Sequence, residues 1–198
     1  MMPCQRGEAP AVLRDGAPKW TAAWLLRRSE RPGTVFHWPE VGGEGVNKPI
    51  THSQLQMTAG HCAYCDGFPL DELGFPTIDH FRPKSRFPER AFDWDNLLPA
   101  CHRCQSPHLG KGDQWDERLL KPDAEGYSFG GHFVYRSESG RLEVDPEASA
   151  EQRARAEVTI QLLGLNGGSR PQARRRAALE CQSRPEADRP YRFVYPPG

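Results

Sequence analysis

The sequence contains no apolar run long enough to cross a lipid bilayer, and it contains no recognisable targeting segment. No segment repeats within the chain. These absences argue against a membrane-spanning protein and against a secreted one. They predict a cytoplasmic protein whose cysteines stay reduced, because disulfides persist mainly in oxidising compartments.

The chain also lacks net charge, since 26 lysines and arginines are balanced by 26 aspartates and glutamates. Proteins that bind nucleic acid without help are often basic, so a neutral chain needs a local basic patch or a partner for that purpose. A Walker-type phosphate loop is absent as well. Any dependence on a nucleotide must therefore come from another protein.

Glycine and proline are abundant, with 19 residues each, and they predict that much of the chain is loop. The 198 residues suffice for one domain with a core or for a small domain with extensions. We predict three parts. Residues 1–55 form an N-terminal extension with one helix, which the spacing of its tryptophans assigns to residues 19–30. Residues 56–123 form the functional core. Residues 124–198 contain a hairpin, two helices and a proline-rich tail.

Four of the six cysteines form two Cys-x-x-Cys pairs, Cys62 with Cys65 and Cys101 with Cys104. Two such pairs supply the four thiolates that tetrahedral zinc prefers, and a complete shell of four leaves no open position. We therefore predict a structural zinc ion. Two alternatives remain open at this point, namely buried free cysteines in unrelated turns, or disulfides.

The segment between the pairs predicts two strands and a helix. Residues 77–81 alternate polar and apolar side chains, and Arg82-Pro83 ends that strand. Residues 97–100 fit a returning strand, and a short helix is expected from Cys101 to about Gly110. Asp79 and His80 are neighbours on the first strand and would point to opposite faces. If both serve one site, the strand end must twist or bulge.

The full segment, TIDHFRPKSRFPERAFDWDNLLPACHRCQSPHLGKG, resembles the HNH endonucleases with a ββα-metal core. It is most similar to the PtuB-like HNH nucleases of Septu and retron-associated anti-phage systems, and the similarity is strong over residues 61–123. The resemblance implies an α+β fold with a zinc-braced core and helical extensions. It implies hydrolysis of phosphodiester bonds in DNA, with His80 as the general base, Asp79 as a ligand of a catalytic Mg²⁺ or Mn²⁺, and Asn96 orienting the base. It also implies an ATPase as partner protein.

One position departs from this family pattern. The residue after the second cysteine pair is usually Asn or His and completes the metal site, whereas here it is Gln105. Either the Gln105 oxygen or His108, three residues further on the expected helix, is predicted to take that place. His102 is expected to point elsewhere if the neighbouring cysteines hold zinc. A weakened or inactive site is the remaining possibility.

Basic residues close to the motif are candidates for nucleic-acid contact. We predict that phosphates are met by Arg82, Lys84, Arg86 and Lys111. The alternative is that these side chains form an ordinary solvated loop. Two other functions remain open: a ribonuclease on the same core, and a zinc module that binds nucleic acid or protein without catalysis.

Overall fold

The computed structural model describes residues 1–71 and 76–195, and it has the predicted α+β class. Each of its sheets is a two-stranded antiparallel hairpin, so helices and loops supply most of the core. The strands are β1 Glu40–Val41, β2 Glu44–Gly45, β3 Thr77–His80, β4 Leu97–Ala100, β5 Phe133–Arg136 and β6 Arg141–Val144. The α-helices are α1 Ala11–Glu30, α2 Asn47–Thr58, α3 His102–Gln105, α4 Ala150–Leu162 and α5 Arg170–Glu180.

The N-terminal helix α1 begins eight residues earlier than predicted. Its apolar residues recur at intervals of three and four, which places Leu13, Trp20 and Trp24 on one face. The chain before it is held as well, because Arg6 forms an ion pair of 2.6 Å with Asp123. A second helix, α2, starts at Asn47. Residues 1–55 thus contain the predicted helix and most of α2, whose start is obscured in the sequence by proline and glycine in residues 31–49.

The segment between the cysteine pairs forms the two predicted strands. β3 pairs with β4 in a continuous register, with Asp79 opposite Leu98 and His80 opposite Leu97. A loop with two short 3₁₀ turns, Pro88–Arg90 and Trp94–Asn96, connects them. The helix that follows is shorter than predicted. It ends at Gln105 because Pro107 disfavours a helical conformation at Ser106, which is extended (ψ 133°).

The C-terminal part packs onto this core. Hairpin β5–β6 turns at Gly140, whose positive φ of 72° suits glycine. Ser149 and Gln152 form a capping box that starts α4. The described residues of the proline-rich tail fold back onto the core, because Arg192 pairs with buried Asp66 at 2.6 Å and Phe193 stacks on Phe129.

Two clusters of buried side chains lie on either side of β3. The first, here called the zinc-side cluster, contains the four cysteines with Tyr64, Leu98 and residues of β5, β6 and α4. The second, here called the aromatic cluster, contains Leu13, Trp24, Ile50, Phe92 and Leu97, with Trp20, Phe36 and Trp38 packed against it. Within the described ranges, no helix has the length and apolar character needed to cross a membrane.

The aromatic cluster ties α1 to the rest of the fold, and this can be tested on one helix. Trp24 is 2% exposed, whereas Leu26, two residues on, is 58% exposed. Trp24→Ala is expected to lower the free energy of unfolding by about 3–5 kcal/mol, because it leaves a cavity. Leu26→Ala is the matched control and should change it by less than about 0.5 kcal/mol. Urea unfolding followed by circular dichroism measures both, and equal effects would contradict the packing described here.

Candidate active site and zinc centre

The four paired cysteines meet in one buried cluster. Their sulfur atoms all lie within 4.8 Å of one another, and all four are free thiols. Tetrahedral zinc with Zn–S bonds of about 2.3 Å requires sulfur–sulfur distances of about 3.8 Å. The sulfurs of Cys65 and Cys101 are 3.8 Å apart. The donor set and its spacing therefore fit zinc, and the disulfide alternative is not what the structure contains.

A buried arginine from α5 contacts this cluster. Arg170 is 4% exposed, and its Nη2 donates a hydrogen bond of 3.1 Å to the sulfur of Cys104. Four thiolates around Zn²⁺ carry two net negative charges, and a guanidinium beside them offsets part of that charge. Nothing local in the sequence distinguishes Arg170 from Arg175 and Arg176 of the same helix, which are exposed.

Asp79 is nearly buried, with 3% of its surface exposed. The hydroxyl of Tyr64 donates to its Oδ2 at 2.5 Å, and the Nζ of Lys111 lies 3.0 Å from the same oxygen. Burial raises the pKa of Asp79 above its ordinary value, and Lys111 and Tyr64 oppose that shift. Two buried donors thus hold the carboxylate through one of its oxygens.

His80 lies on the aromatic side of the strand. Its Nε2 is 2.9 Å from the carbonyl of Ala91, its ring stacks on Trp38, and the edge of Phe36 meets it. A carbonyl can only accept, so Nε2 carries the hydrogen and Nδ1 of the neutral ring keeps a lone pair. Burial, with a smaller effect from Lys84, lowers the pKa of His80 to about 3. The imidazole is therefore neutral at neutral pH, which is the form that can accept a proton.

Strand alternation explains how both residues serve one cleft. The ladder of β3 and β4 is continuous, so the bulge considered from the sequence is absent from this strand pair. Asp79 points into the zinc-side cluster and His80 into the aromatic cluster, as alternation requires. Both nevertheless line the same cleft of about 400 Å³, because they are the last two residues of β3 and the loop that follows forms part of the same cleft.

Asn96 joins the two ends of the connecting loop. Its Oδ1 accepts a hydrogen bond of 2.8 Å from the backbone N–H of Arg82, and its Nδ2 donates to the carbonyls of Arg82 and Arg90. The side chain is buried. These contacts hold the loop that carries Ala91, the residue whose carbonyl orients His80. The orienting role stays a prediction, and this geometry is compatible with it.

The structure distinguishes between the two candidates for the third metal ligand. Gln105 lines the cleft, and its Nε2 donates 3.0 Å to the carbonyl of Ile78, which leaves Oε1 as the free acceptor. His108 is exposed, lies beyond the end of α3 and is not among the residues that line the cleft. The expectation for His108 is corrected, because it depended on a helix that continued to Gly110. His102, expected to point away, does line the cleft.

The predicted phosphate-binding residues separate into two groups. Lys84 lines the cleft. Arg82 and Arg86 are each two residues from Lys84 in the chain, and their guanidinium groups lie over the rings of Phe87 and Trp115. Lys111 is 1% exposed and pairs with Asp79. Its predicted contact with phosphate is corrected, because a side chain held in the interior cannot reach a nucleic-acid backbone.

Sequence reasoning missed several residues around the site, namely Phe36, Trp38, Tyr64, Trp115 and Arg170. The first two lie between α1 and α2 and pack on His80. Their signal was the aromatic density of residues 36–38 in a glycine- and proline-rich stretch. Tyr64 lies between the two cysteines of the first pair, and nothing local in the sequence marks it as a partner of Asp79.

Within residues 1–71 and 76–195, the four cysteines are the one set of three or more His, Cys, Asp or Glu side chains close enough to hold a metal ion. Asp79 with the free oxygen of Gln105 is a smaller set of hard donors. Such a set fits a Mg²⁺-type cation, which keeps several waters and takes few protein ligands. The two centres therefore differ in donor chemistry and in the number of protein ligands.

A zinc-fitting Cys₄ cluster, a β-hairpin bearing Asp79-His80, and a following helix at one cleft are the parts of a ββα-metal nuclease core. In agreement, the family model described as HNH endonuclease matches residues 62–113. Residues 62–113 are thus similar to the core of HNH endonucleases. It is similar to the Septu protein PtuB of Bacillus thuringiensis, with 32% identity over 125 residues, which is 63% of this chain and 43% of that protein. The chain thus spans less than half the length of this relative. The predicted resemblance is confirmed.

The zinc centre can be tested by metal content. Wild-type protein purified without chelator is expected to hold about one zinc ion per chain, because four thiolates complete one tetrahedral shell. Cys104→Ser should lose most of the zinc and melt at lower temperature, since metal binding is coupled to folding. Cys4→Ser is the control, because Cys4 lies outside the cluster. Plasma mass spectrometry and thermal melts measure both, and zinc-free protein that remains folded would rule out this centre.

The third ligand can be tested by divalent-metal binding. Gln105→Ala is expected to weaken Mn²⁺ binding on the order of 10-fold or more, because it removes the free oxygen at the cleft. His108→Ala should leave the affinity unchanged, because that imidazole is exposed outside the cleft. Isothermal titration calorimetry on the zinc-loaded protein compares the two. The opposite pattern would show that His108 reaches the metal after a rearrangement of residues 106–110.

Proposed function

We propose that this protein is a metal-dependent endonuclease that hydrolyses phosphodiester bonds in DNA and acts as the nuclease of an anti-phage defence system. One observation carries the proposal: His80, neutral and with Nδ1 free, stands beside the Asp79 carboxylate at one cleft of an HNH core. The similarity to a Septu protein supports the defence role.

The chemistry follows from the residues at the cleft. Hydrolysis of a phosphodiester needs an activated water and positive charge where the phosphate gains negative charge. Nδ1 of His80 accepts the proton of the attacking water, while the Ala91 carbonyl and the Trp38 ring keep the imidazole in place. A Mg²⁺ or Mn²⁺ ion, held by Asp79 with the oxygen of Gln105, would supply the positive charge. Asn96 holds the connecting loop, and thereby the carbonyl that orients His80.

Substrate binding is assigned to the cations at the edge of the cleft. Lys84 lines the cleft, and Arg82 and Arg86, each two residues from Lys84 in the chain, contact the Phe87 and Trp115 rings. Contacts of this kind are made to phosphates and give affinity that depends on salt but not on base sequence. The chain as a whole has no net charge. An ATPase partner, as the resemblance implies, would contribute the remaining affinity and control.

The test is plasmid nicking with Mg²⁺ or Mn²⁺, with and without EDTA. Wild-type protein is expected to nick plasmid only with the metal, and His80→Ala should reduce the rate by at least about 100-fold, because the general base is lost. His52→Ala is the matched control, since His52 is exposed on α2 and bonds only to Gln56.

The outcomes separate the competing functions. Metal-dependent cutting of structured RNA with plasmid left intact would replace DNA by RNA as the substrate. Wild-type protein that cuts neither nucleic acid, even with a candidate ATPase from the same defence system added, would contradict the nuclease proposal. In that case the zinc module without catalysis becomes the better description.

A further inference from the structure

The Asp79 carboxylate is held in an unusual way for a surface-cleft residue. Two buried groups, the Tyr64 hydroxyl and the Lys111 ammonium, both contact it, and both do so at Oδ2. Among the described residues, no hydrogen bond to Oδ1 accompanies them. One oxygen of the carboxylate is thus engaged on the inner side, while the residue itself lines the cleft.

Lys111 is fixed by more than this ion pair. Its Nζ also donates 2.8 Å to the carbonyl of His80, and its backbone N–H donates 2.8 Å to the carbonyl of Cys104. Gly110 makes this approach possible, because a Cβ there would lie 2.3 Å from the Cys104 oxygen. The lysine therefore bridges the second cysteine pair to both residues of the Asp-His pair.

Tyr64 performs the corresponding task from the first cysteine pair. It lies between Cys62 and Cys65 and is fully buried. Its neighbour Ala63 donates a backbone hydrogen bond of 2.9 Å to the carbonyl of Pro99 in β4. Both groups that hold Asp79 thus come from the two segments that carry the cysteines.

A purely structural role does not account for this arrangement. A buried lysine beside a buried carboxylate pays a large desolvation cost, and apolar side chains of similar volume are commonly as stable or more so. The pair has a direct use at the cleft, however. The two contacts on Oδ2 fix the position of the carboxylate and leave Oδ1 as the oxygen for an incoming cation.

We infer that Tyr64 and Lys111 are positioning residues that hold the Asp79 carboxylate in a fixed orientation through Oδ2, so that its other oxygen binds the catalytic divalent cation. The inference rests on the proposed metal-dependent function. It gives Lys111 the role of supporting a metal ligand from the protein interior, in place of a contact with nucleic acid.

The experiment measures Mn²⁺ binding to zinc-loaded protein by electron paramagnetic resonance, without substrate. Tyr64→Phe removes one hydroxyl and is expected to weaken Mn²⁺ binding on the order of 10-fold, as loss of a group that supports a ligand commonly does. Lys111→Met should weaken it at least as much. Zinc content and melting temperature of Tyr64→Phe should stay close to those of the wild type.

Two matched controls remove the same groups elsewhere. Tyr127→Phe deletes a hydroxyl that donates 2.7 Å to the Met1 carbonyl, and Lys121→Met breaks an ion pair of 3.1 Å with buried Asp123. Neither site borders the cleft, so both variants should bind Mn²⁺ as the wild type does. If Lys111→Met fails to fold, Tyr64→Phe alone decides the question.

Asp79→Ala distinguishes failure of the inference from failure of the proposed function. If Asp79→Ala abolishes Mn²⁺ binding while Tyr64→Phe and folded Lys111→Met bind as tightly as wild type, the positioning role is overturned and the metal site survives. If wild-type protein binds no Mn²⁺, or if Asp79→Ala binds it as tightly as wild type, Asp79 is not a metal ligand and the positioning role is overturned as well.

Discussion

The contact on which the rest of this structure depends is the meeting of four buried sulfurs. Two segments 39 residues apart in sequence join there, and Cys101 donates a backbone hydrogen bond to the Cys62 sulfur. Without a metal, four thiols in this space offer little attraction. With zinc they hold both segments rigidly, and binding free energy of the metal becomes folding free energy. Arg170 brings α5 onto the same cluster, so the C-terminal part also depends on it.

The short strand β3 divides the chemistry between two environments. Alternation of side chains sends Asp79 to the zinc-side cluster, where charged and hydroxyl groups meet it, and His80 to the aromatic cluster, where rings surround it. Burial raises the pKa of Asp79, an effect that Lys111 and Tyr64 oppose, and burial lowers the pKa of His80. In the proposed function, one strand supplies a ligand for the metal and an acceptor for the proton because its two faces differ.

The N-terminal extension takes part in the site. Phe36 and Trp38 pack on His80, and α1 packs on the same cluster through Trp20 and Trp24. An imidazole enclosed in this way has few accessible orientations, which would suit the proposed role of His80 as a proton acceptor at a defined position. The segment between α1 and α2 thus also packs against His80.

The sequence by itself determined the cysteine pairs, the strand with Asp79-His80, the returning strand and the hairpin near residue 140, because spacing and alternation are local properties. Tertiary structure decided the rest. Whether Gln105 or His108 reaches the cleft depended on where a helix ends, and whether Lys111 faces solvent or Asp79 depended on how closely Gly110 approaches Cys104. Likewise, Tyr64, Trp38 and Arg170 acquire their roles from partners 15, 42 and 66 residues away in the chain. Contacts between distant segments leave no periodic trace in a single sequence, and only packing reveals them.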